Sequence, residues 1–420
     1  MTHPLTAPTA TAADLLALYR HLHAHPEPSL HETHTAALLA GILRDLGYAV
    51  HERIGGTGVV GILRNGAGPT VVLRADMDAL PVREDTGLDY ASAAVDAAGT
   101  PLMHACGHDI HMTCAIGAAR DLAAASRSWS GTLVILLQPA EEIAAGAAAM
   151  IADGVFDLFP KPSVLLGQHV GNLPAGVVSF TPGPAMAAAE SLRIRLTGRG
   201  AHGSRPQASI DPVLLAAHIV VRLQSIVARE ISPSDTAVVT VGALHAGAQA
   251  NVIPDTAEIA VNLRSLTPEV HGRLRRAVVR IVEAECAASG TPVAPEITTT
   301  GAFPVLSNDP WATALTVAAL RTGLGEDRVR EVPAITISED FGLLGQAVGA
   351  PSFFWFLGST QPGRFERARA ADEVDAQIPA NHSSRFAPEP DTTIPAGIAA
   401  LTLAARAWLG APPETGAPLG

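Results

Sequence analysis

Three textures of hydrophobic and polar positions alternate along the 420 residues. In the first, apolar residues recur at the spacing of one helix face. "TAADLLALYRHLHAHP" predicts a helix stopped before Pro26, and "HETHTAALLAGILRDLG" a second one closed by Gly47. In the second, apolar residues run on without interruption, as in "TVVLRA", "GTLVILLQ", "SVLLGQH" and "PSFFWFLG". Such runs predict strands covered on both faces, mostly parallel and joined by crossover helices. Two further strands, "YAVHERI" and "GVVGIL", come before them, and Asn65-Gly66 marks a turn.

The third texture starts near residue 184. "ESLRIRLTG", "TAVVTVGAL" and "TAEIAVNLRS" alternate with period two, and "APEITTT" ends the series. Between them, "IDPVLLAAHIVVRLQSIVA" and "TPEVHGRLRRAVVRIVEAECAASG" read as helices. Alternation predicts a sheet with one open face. The expected fold class is therefore α/β: a mostly parallel-sheet catalytic domain interrupted by a smaller α+β, ferredoxin-like domain. The expected boundaries are 1–184 and 299–420 for the two catalytic segments and 185–298 for the insertion, with the closing "GAPPETGAPLG" a disordered tail.

Composition narrows the partners. A net charge of −12 argues against nucleic acid or an anionic membrane. No apolar run approaches the ~20 residues of a membrane span. The N-terminal "MTHPLTAPTATAADLL" has neither Lys nor Arg nor an apolar signal core, so a cytoplasmic protein is expected. Three cysteines, Cys106, Cys114 and Cys286, make no disulfide framework and fit a reducing compartment. Lys161 is the single lysine and sits in no suitable motif, which disfavours Schiff-base and P-loop chemistry. "GTGVVG", residues 56 to 61, matches a dinucleotide fingerprint, but a strand rather than a helix follows it. A glycine-rich hairpin is the better reading, and oxidoreductase chemistry has no cofactor motif.

Candidate chemistry centres on "MHACGHDIHM", residues 103 to 112. Three readings compete: a nucleophilic Cys106 with His108 or His104 as base, a metal site, or an ordinary histidine-rich helix start. Other groups gather at apparent strand ends: Asp76 and Asp78 in "LRADMDALP", Glu141 and Glu142 after "TLVILLQPA", and His169 closing "SVLLGQH". His382 lies in the loop "PANHSSRF". Open α/β sheets place their sites at the carboxyl ends of strands. Thiolate, imidazole and carboxylate together suit Zn²⁺, with Mn²⁺, Co²⁺ or Ni²⁺ as alternatives. Singly, each group has a plainer reading. Paired acids often open a helix, Asp109 reads as an N-cap, and Cys114 reads as core. Their joint appearance favours the metal.

"LRADMDALP", "MHACGHDIHM", "QPAEE", "GQHV", "AHGSRP", "ANVIPDTAEIAVNLRS", "SEDFG" and "NHSSRF" occur in order. Together they resemble the co-catalytic metallopeptidase and amidohydrolase family, in the branch of hippurate hydrolases, N-acyl-amino-acid amidohydrolases and auxin-conjugate hydrolases. The resemblance runs from "HLHAHPEPSLHE" to "NHSSRFAPE". It implies a site for two divalent metal ions with Cys106, His108, Glu142, His169 and His382 as ligands, Cys106 bridging and Glu141 the general base. Asp76, Asp78 and Asp109 then stand behind the ligands. The insertion would be a lid and homodimerisation domain. In it His202 would hold the scissile carbonyl oxygen, in its own subunit or across the dimer, while Asn251 and Arg264 would bind a substrate carboxylate. Three positions depart from the family pattern: Ile143 for a glycine, Gln207 for a frequent histidine and Ser384 for a proline. The implied activity is hydrolysis of N-acyl-amino acids to a carboxylic acid and a free amino acid. The competing activities are a dipeptidase or carboxypeptidase of the same fold, a Cys106 thiol hydrolase, and a binding protein with a decayed site.

Overall fold

Uninterrupted apolar runs become the centre of an eight-stranded sheet, seen in a computed structural model that describes residues 12–411. Its order is Ala49–Ile54, Gly58–Asn65, Gly131–Gln138, Thr70–Asp76, Val164–Pro174, Ser352–Thr360, Val178–Phe180 and Val329–Glu331. The four central strands are mutually parallel; antiparallel pairs enter at the Gly58–Asn65 side and at Val178–Phe180. Every residue of Thr70–Asp76 and of Gly131–Gln138 is buried. A strand with no exposed side must be covered on both faces, which is why these runs show no alternation. "GTGVVG" is part of the hairpin between Ala49–Ile54 and Gly58–Asn65.

The helix His108–Ala124 crosses one face and packs against Pro390–Trp408. Gly117 lets these helices approach, since a Cβ there would lie 2.4 Å from Ile398 Cδ1. The N-terminal helices form as the apolar spacing predicts, at Ala12–Ala24 and Thr33–Asp45.

The chain separates into two compact units. The smaller comprises Pro184–Leu306 and Ala334–Glu339, and the larger the remaining described residues. Residues 299–306 thus fall with the insertion, not with the second catalytic segment. The strand Glu296–Phe303 continues past its expected end because it stays paired to Ala188–Thr197. Residues 334–339 return to the same unit through Ala187 N–H, which donates to Ile335 O at 3.1 Å and Ile337 O at 3.0 Å. From residue 412 the expected tail lies outside the described residues.

In the smaller unit four antiparallel strands run in the order Ala237–Ala246, Thr256–Ser265, Ala188–Thr197, Glu296–Phe303, the ferredoxin-like arrangement. The helices Pro212–Leu223 and Pro268–Ser289 supply the other half of its core. Among the described residues one helical segment, Pro212–Glu230, is long and apolar enough to cross a membrane by length and composition. Its Leu215, Ile219, Leu223 and Ile226 are buried in this core.

Candidate metal centre

Three parallel strands deliver the site. Asp76 ends the first, and the second stops at Gln138, just before Glu141 and Glu142. His169 is not at a strand end as expected. Val164–Pro174 runs on, and His169 lies past Gly167, the last residue its neighbour Thr70–Asp76 pairs with. Past Gly167 the pairing to Thr70–Asp76 stops, while on the other side His169 stays paired with Phe356.

Cys106 and His108 enter on a tight turn into the helix His108–Ala124. The residue capping that helix is Gly107 (φ 85°), not Asp109. A Cβ at Gly107 would lie 2.3 Å from Val170 Cγ2, so only glycine brings the turn this close to the third strand. Asp109 lies in the first helical turn, with Oδ1 accepting from Ile110 N–H and Oδ2 bonded to His23 Nδ1 at 2.7 Å. The His382 loop is stitched on by His382 N–H to Ala105 O (2.8 Å) and Asn381 Nδ2 to Cys106 O (3.1 Å). Cys114 is core.

Several donor triads result with their donor atoms within 4.8 Å of one another; two share Cys106, with His108 and His169 and with Glu142 and His382, and others join Asp76, His108 and His111, and His108, Glu141 and Glu142. Cys106 Sγ is 3.4 Å from His169 Nε2, and His382 Nε2 is 3.3 Å from Glu142 Oε2. Ligands bound to one ion at roughly 2.0–2.3 Å in a tetrahedron are about 3.3–3.7 Å apart. Hydrogen bonds to the backbone also set the tautomers. His169 Nδ1 donates to Val170 O at 2.7 Å and His108 Nδ1 to Asp78 O at 2.8 Å, since a carbonyl can only accept. Both rings therefore keep the Nε2 lone pair for the site. His108 Nε2 and Glu142 Oε1 are buried without a hydrogen bond, the condition a bound cation would satisfy.

Electrostatics agree with that fit. Asp76, Asp78, Glu141 and Glu142 bring four carboxylates to one place, with the Arg74 guanidinium on Asp76, a concentration of negative charge that favours further cations beside it. Burial works against a charged His108, yet Asp76, Asp78 and Glu142 raise its pKa to about 10. The field that holds a proton there would equally hold a metal cation, with which the proton competes. Burial, Glu142, Glu141 and Asp76 push the Cys106 thiol well above its ordinary range, so its thiolate also needs a cation. His104, the other base considered for a thiol mechanism, is buried with neither ring nitrogen hydrogen-bonded, and burial pushes its pKa down to about 4.

His111 had no assigned role in the sequence, although it lies one helical turn after His108. Its Nε2 accepts Val170 N–H at 2.8 Å, so Nδ1 donates to Asp76 Oδ1 at 2.6 Å. Both ring nitrogens are spent, and His111 braces the backbone beside His169. Behind it Arg74, 2% exposed, bonds Asp76 Oδ2 at 2.7 Å and Asp340 Oδ1 at 3.2 Å.

The Glu141 turn is strained. Ala140 and Ala144 adopt φ of 50° and 55°, where a Cβ costs roughly 1–2 kcal/mol per residue. The exposed Ile143 lies within it.

His202, Asn251 and Arg264 all lie in the smaller unit. His202 pairs with Val252 in a two-residue ladder, and Gly203 N–H donates to Asn251 O at 2.8 Å. His202 Nδ1 accepts Ser204 N–H at 3.1 Å, which leaves the proton on Nε2. Arg264 is held by Asn262 Oδ1 (3.0 Å), Thr336 O (2.6 Å) and Ser338 Oγ (3.4 Å). Among the described residues no carboxylate pairs with it.

A largely parallel sheet with thiol, imidazole and carboxylate donors gathered at its carboxyl edge is the build of a metal-dependent amidohydrolase, and the donor set suits two divalent cations. The sequence profile of peptidase family M20/M25/M40 matches residues 72–376, and the chain belongs to that family. A hippurate hydrolase of Campylobacter jejuni is 39% identical over 326 residues, covering 76% of this chain and 82% of its own. A thermostable carboxypeptidase of Saccharolobus solfataricus is 33% identical over 397 residues, covering 93% and 95%. A solved structure from Bacillus subtilis, described as a dinuclear metal-binding peptidase of the M20 family, matches with a TM-score of 0.73 at 28% identity, over 94% of this chain and 98% of that one.

Proposed function

We propose that this chain hydrolyses the amide bond of N-acyl-amino acids, releasing a carboxylic acid and a free amino acid. The observation that carries the reading is the pair of donor triads sharing Cys106, with Glu141 beside the ligand Glu142. Cys106, His108, Glu142, His169 and His382 would hold two divalent cations, with Cys106 common to both and Zn²⁺ best suited to the mixed S, N and O donors. Such cations lower the pKa of a water towards ~7 and polarise a carbonyl. Glu141 takes the proton of the attacking water and delivers it to the amide nitrogen as the C–N bond breaks. His202, with its proton on Nε2, is suited to donate to the carbonyl oxygen. Arg264, pre-oriented by neutral acceptors, offers its charge to the substrate carboxylate; Asn251, assigned to the same carboxylate, lies instead beside Gly203 and His202, towards the other end of the strand Thr256–Ser265.

A thiol hydrolase is disfavoured because burial, and then the carboxylates around Cys106, oppose its thiolate. Peptidase activity is the second reading, supported by the similarity to the carboxypeptidase. The smaller unit would also pair two subunits; the exposed Leu214 and Val221 on its helix Pro212–Leu223 support that reading. Three cysteines without disulfides fit the cytoplasm.

The test is hydrolysis of N-acetyl-, N-benzoyl- and indoleacetyl-amino acids, each against its α-amide and against a dipeptide, with Zn²⁺, Mn²⁺, Co²⁺ or Ni²⁺ added. Losing a charge-assisted hydrogen bond costs about 1.5–3 kcal/mol, so the amides should react at least about tenfold less efficiently. Arg264→Ala should erase that difference, and Arg264→Lys should restore little of it. Equal rates for acid and amide on the wild type would remove the carboxylate clamp, and preference for the dipeptide would favour the second reading.

A further inference from the structure

The turn between the strand Gly131–Gln138 and the helix Gly146–Ala152 carries Glu141 through two left-handed alanines. Gly146 closes it, because a Cβ there would lie 1.6 Å from Pro139 O. Backbone in that conformation persists only where its surroundings over-determine it. Here the surroundings are three buried carboxylates from distant parts of the chain. Glu32 Oε1 accepts Ala140 N–H at 2.9 Å, Asp78 Oδ2 accepts Glu142 N–H at 3.0 Å, and Asp340 Oδ2 accepts Ala147 N–H at 3.1 Å. Asp340 Oδ1 also accepts Gln138 Nε2 at 2.7 Å, so one side chain grips the turn just before and just after it. Glu32 and Asp340 are each no more than 1% exposed, as is Asp78.

Asp78 also bonds His108, so its role merges with that of the metal site. Glu32 and Asp340 bond none of the proposed ligands, although a carboxylate oxygen of Asp340 lies within 4.8 Å of one of Glu141. Glu32 spends its other bonds on Leu30 N–H and Thr57 Oγ1. Asp340 is joined by Arg74, which also holds the Asp76–His111 pair. They belong to the segments "HLHAHPEPSLHE" and "SEDFG", neither of which contributes a proposed ligand or base.

We propose that Glu32 and Asp340 are positioning residues, whose carboxylates clamp the backbone of the strained turn and so hold Glu141 at the reacting water. Burying two carboxyl groups against backbone amides is justified where placement of a third group must be fixed, since a displacement of about 1 Å can cost ~10²-fold in rate. The proposal rests on Glu141 acting as the base.

The test is Asp340→Asn and Glu32→Gln in the full-length, metal-loaded protein, each variant exchanging one carboxylate oxygen for an amide nitrogen. Three quantities are read: kcat and KM separately, bound metal, and amide hydrogen exchange across residues 139–150. The expected result is a kcat lowered on the order of 10²-fold, KM and metal content little changed, and faster exchange confined to the turn. Asp340→Glu and Glu32→Asp should recover part of kcat, which a mere space-filling role does not predict. Unchanged kcat with faster exchange at the turn overturns the proposal, as does faster exchange spread through the larger unit. Unaltered exchange at the turn in both variants overturns it whatever the substrate, so a failure of the assigned reaction stays distinguishable. Failure of both variants to fold would assign the two carboxylates to the core and overturn it as well.

Discussion

Two strands of similar length show how differently the two sheets inform. All eight residues of Gly131–Gln138 in the larger unit are buried, whereas Ala237–Ala246 in the smaller unit alternates between partly buried and exposed. Where every position is covered, a polar residue is an exception needing partners. Arg74, Asp76, Gln138 and Gln168 are all 2% exposed or less, and the first three form the network behind the site. Where positions alternate, polar residues are the rule, and one such as Arg264 gains meaning only from what surrounds it. Buried polar groups in the larger unit are therefore informative by position, and those of the smaller unit by partnership.

The largest effect expected concerns Glu141. Glu141→Gln should keep the bound metal and lose roughly 10²–10⁴-fold in kcat, since an amide cannot take the water's proton. Near wild-type turnover with metal present would show that the base lies elsewhere.

Next comes His23, a polar exception in the same unit. It is fully buried between Asp109 at 2.7 Å and Glu84 at 3.0 Å. Burial works against its cation, but the two acids raise its pKa to about 10, and their own are lowered. Because the folded-state pKa lies above the unfolded value, the stabilisation is complete below about pH 6.5. It is lost as pH rises through about 10. The acids' share is lost instead on acidification through their folded pKa values. Removing one member of a buried pair costs roughly 3–5 kcal/mol. His23→Gln should show that loss near neutrality in denaturant melts, together with a flatter decline towards pH 10. A variant as stable as wild type, with the same alkaline slope, would dismiss the pair as a stabilising element.

The comparison itself is sharpened by two truncations. Ile135→Ala, at a fully buried position, should cost about 2–5 kcal/mol. Val238→Ala, 36% exposed on the alternating strand, should stay within about 0.5 kcal/mol. Equal losses would mean that the smaller unit's open face is covered in solution.

Period alone made most elements legible. Continuous runs became the covered sheet, alternation became the half-open one, and the helices Pro268–Ser289 and Thr33–Asp45 followed their apolar spacing. The residue types that crowd the site were legible too, because Cys106, His108, Glu141, Glu142, His169 and His382 stand out chemically wherever the chain places them. Less legible were the ends of elements. Val164–Pro174 and Glu296–Phe303 outrun their local signals because cross-strand pairing, not composition, decides where they stop.

What the sequence determined by itself was the kind of each element and the stock of chemistry, since both follow from side-chain type and local spacing. Tertiary structure alone decided which nitrogen of His108, His111, His169 and His202 carries the proton, because each tautomer follows from the group the ring meets. It alone joined Asp340 to Arg74 across 266 positions and Glu32 to Ala140 across 108. Hydrogen bonds act through space over a few ångströms, and no local pattern of residues encodes a partner that far along the chain.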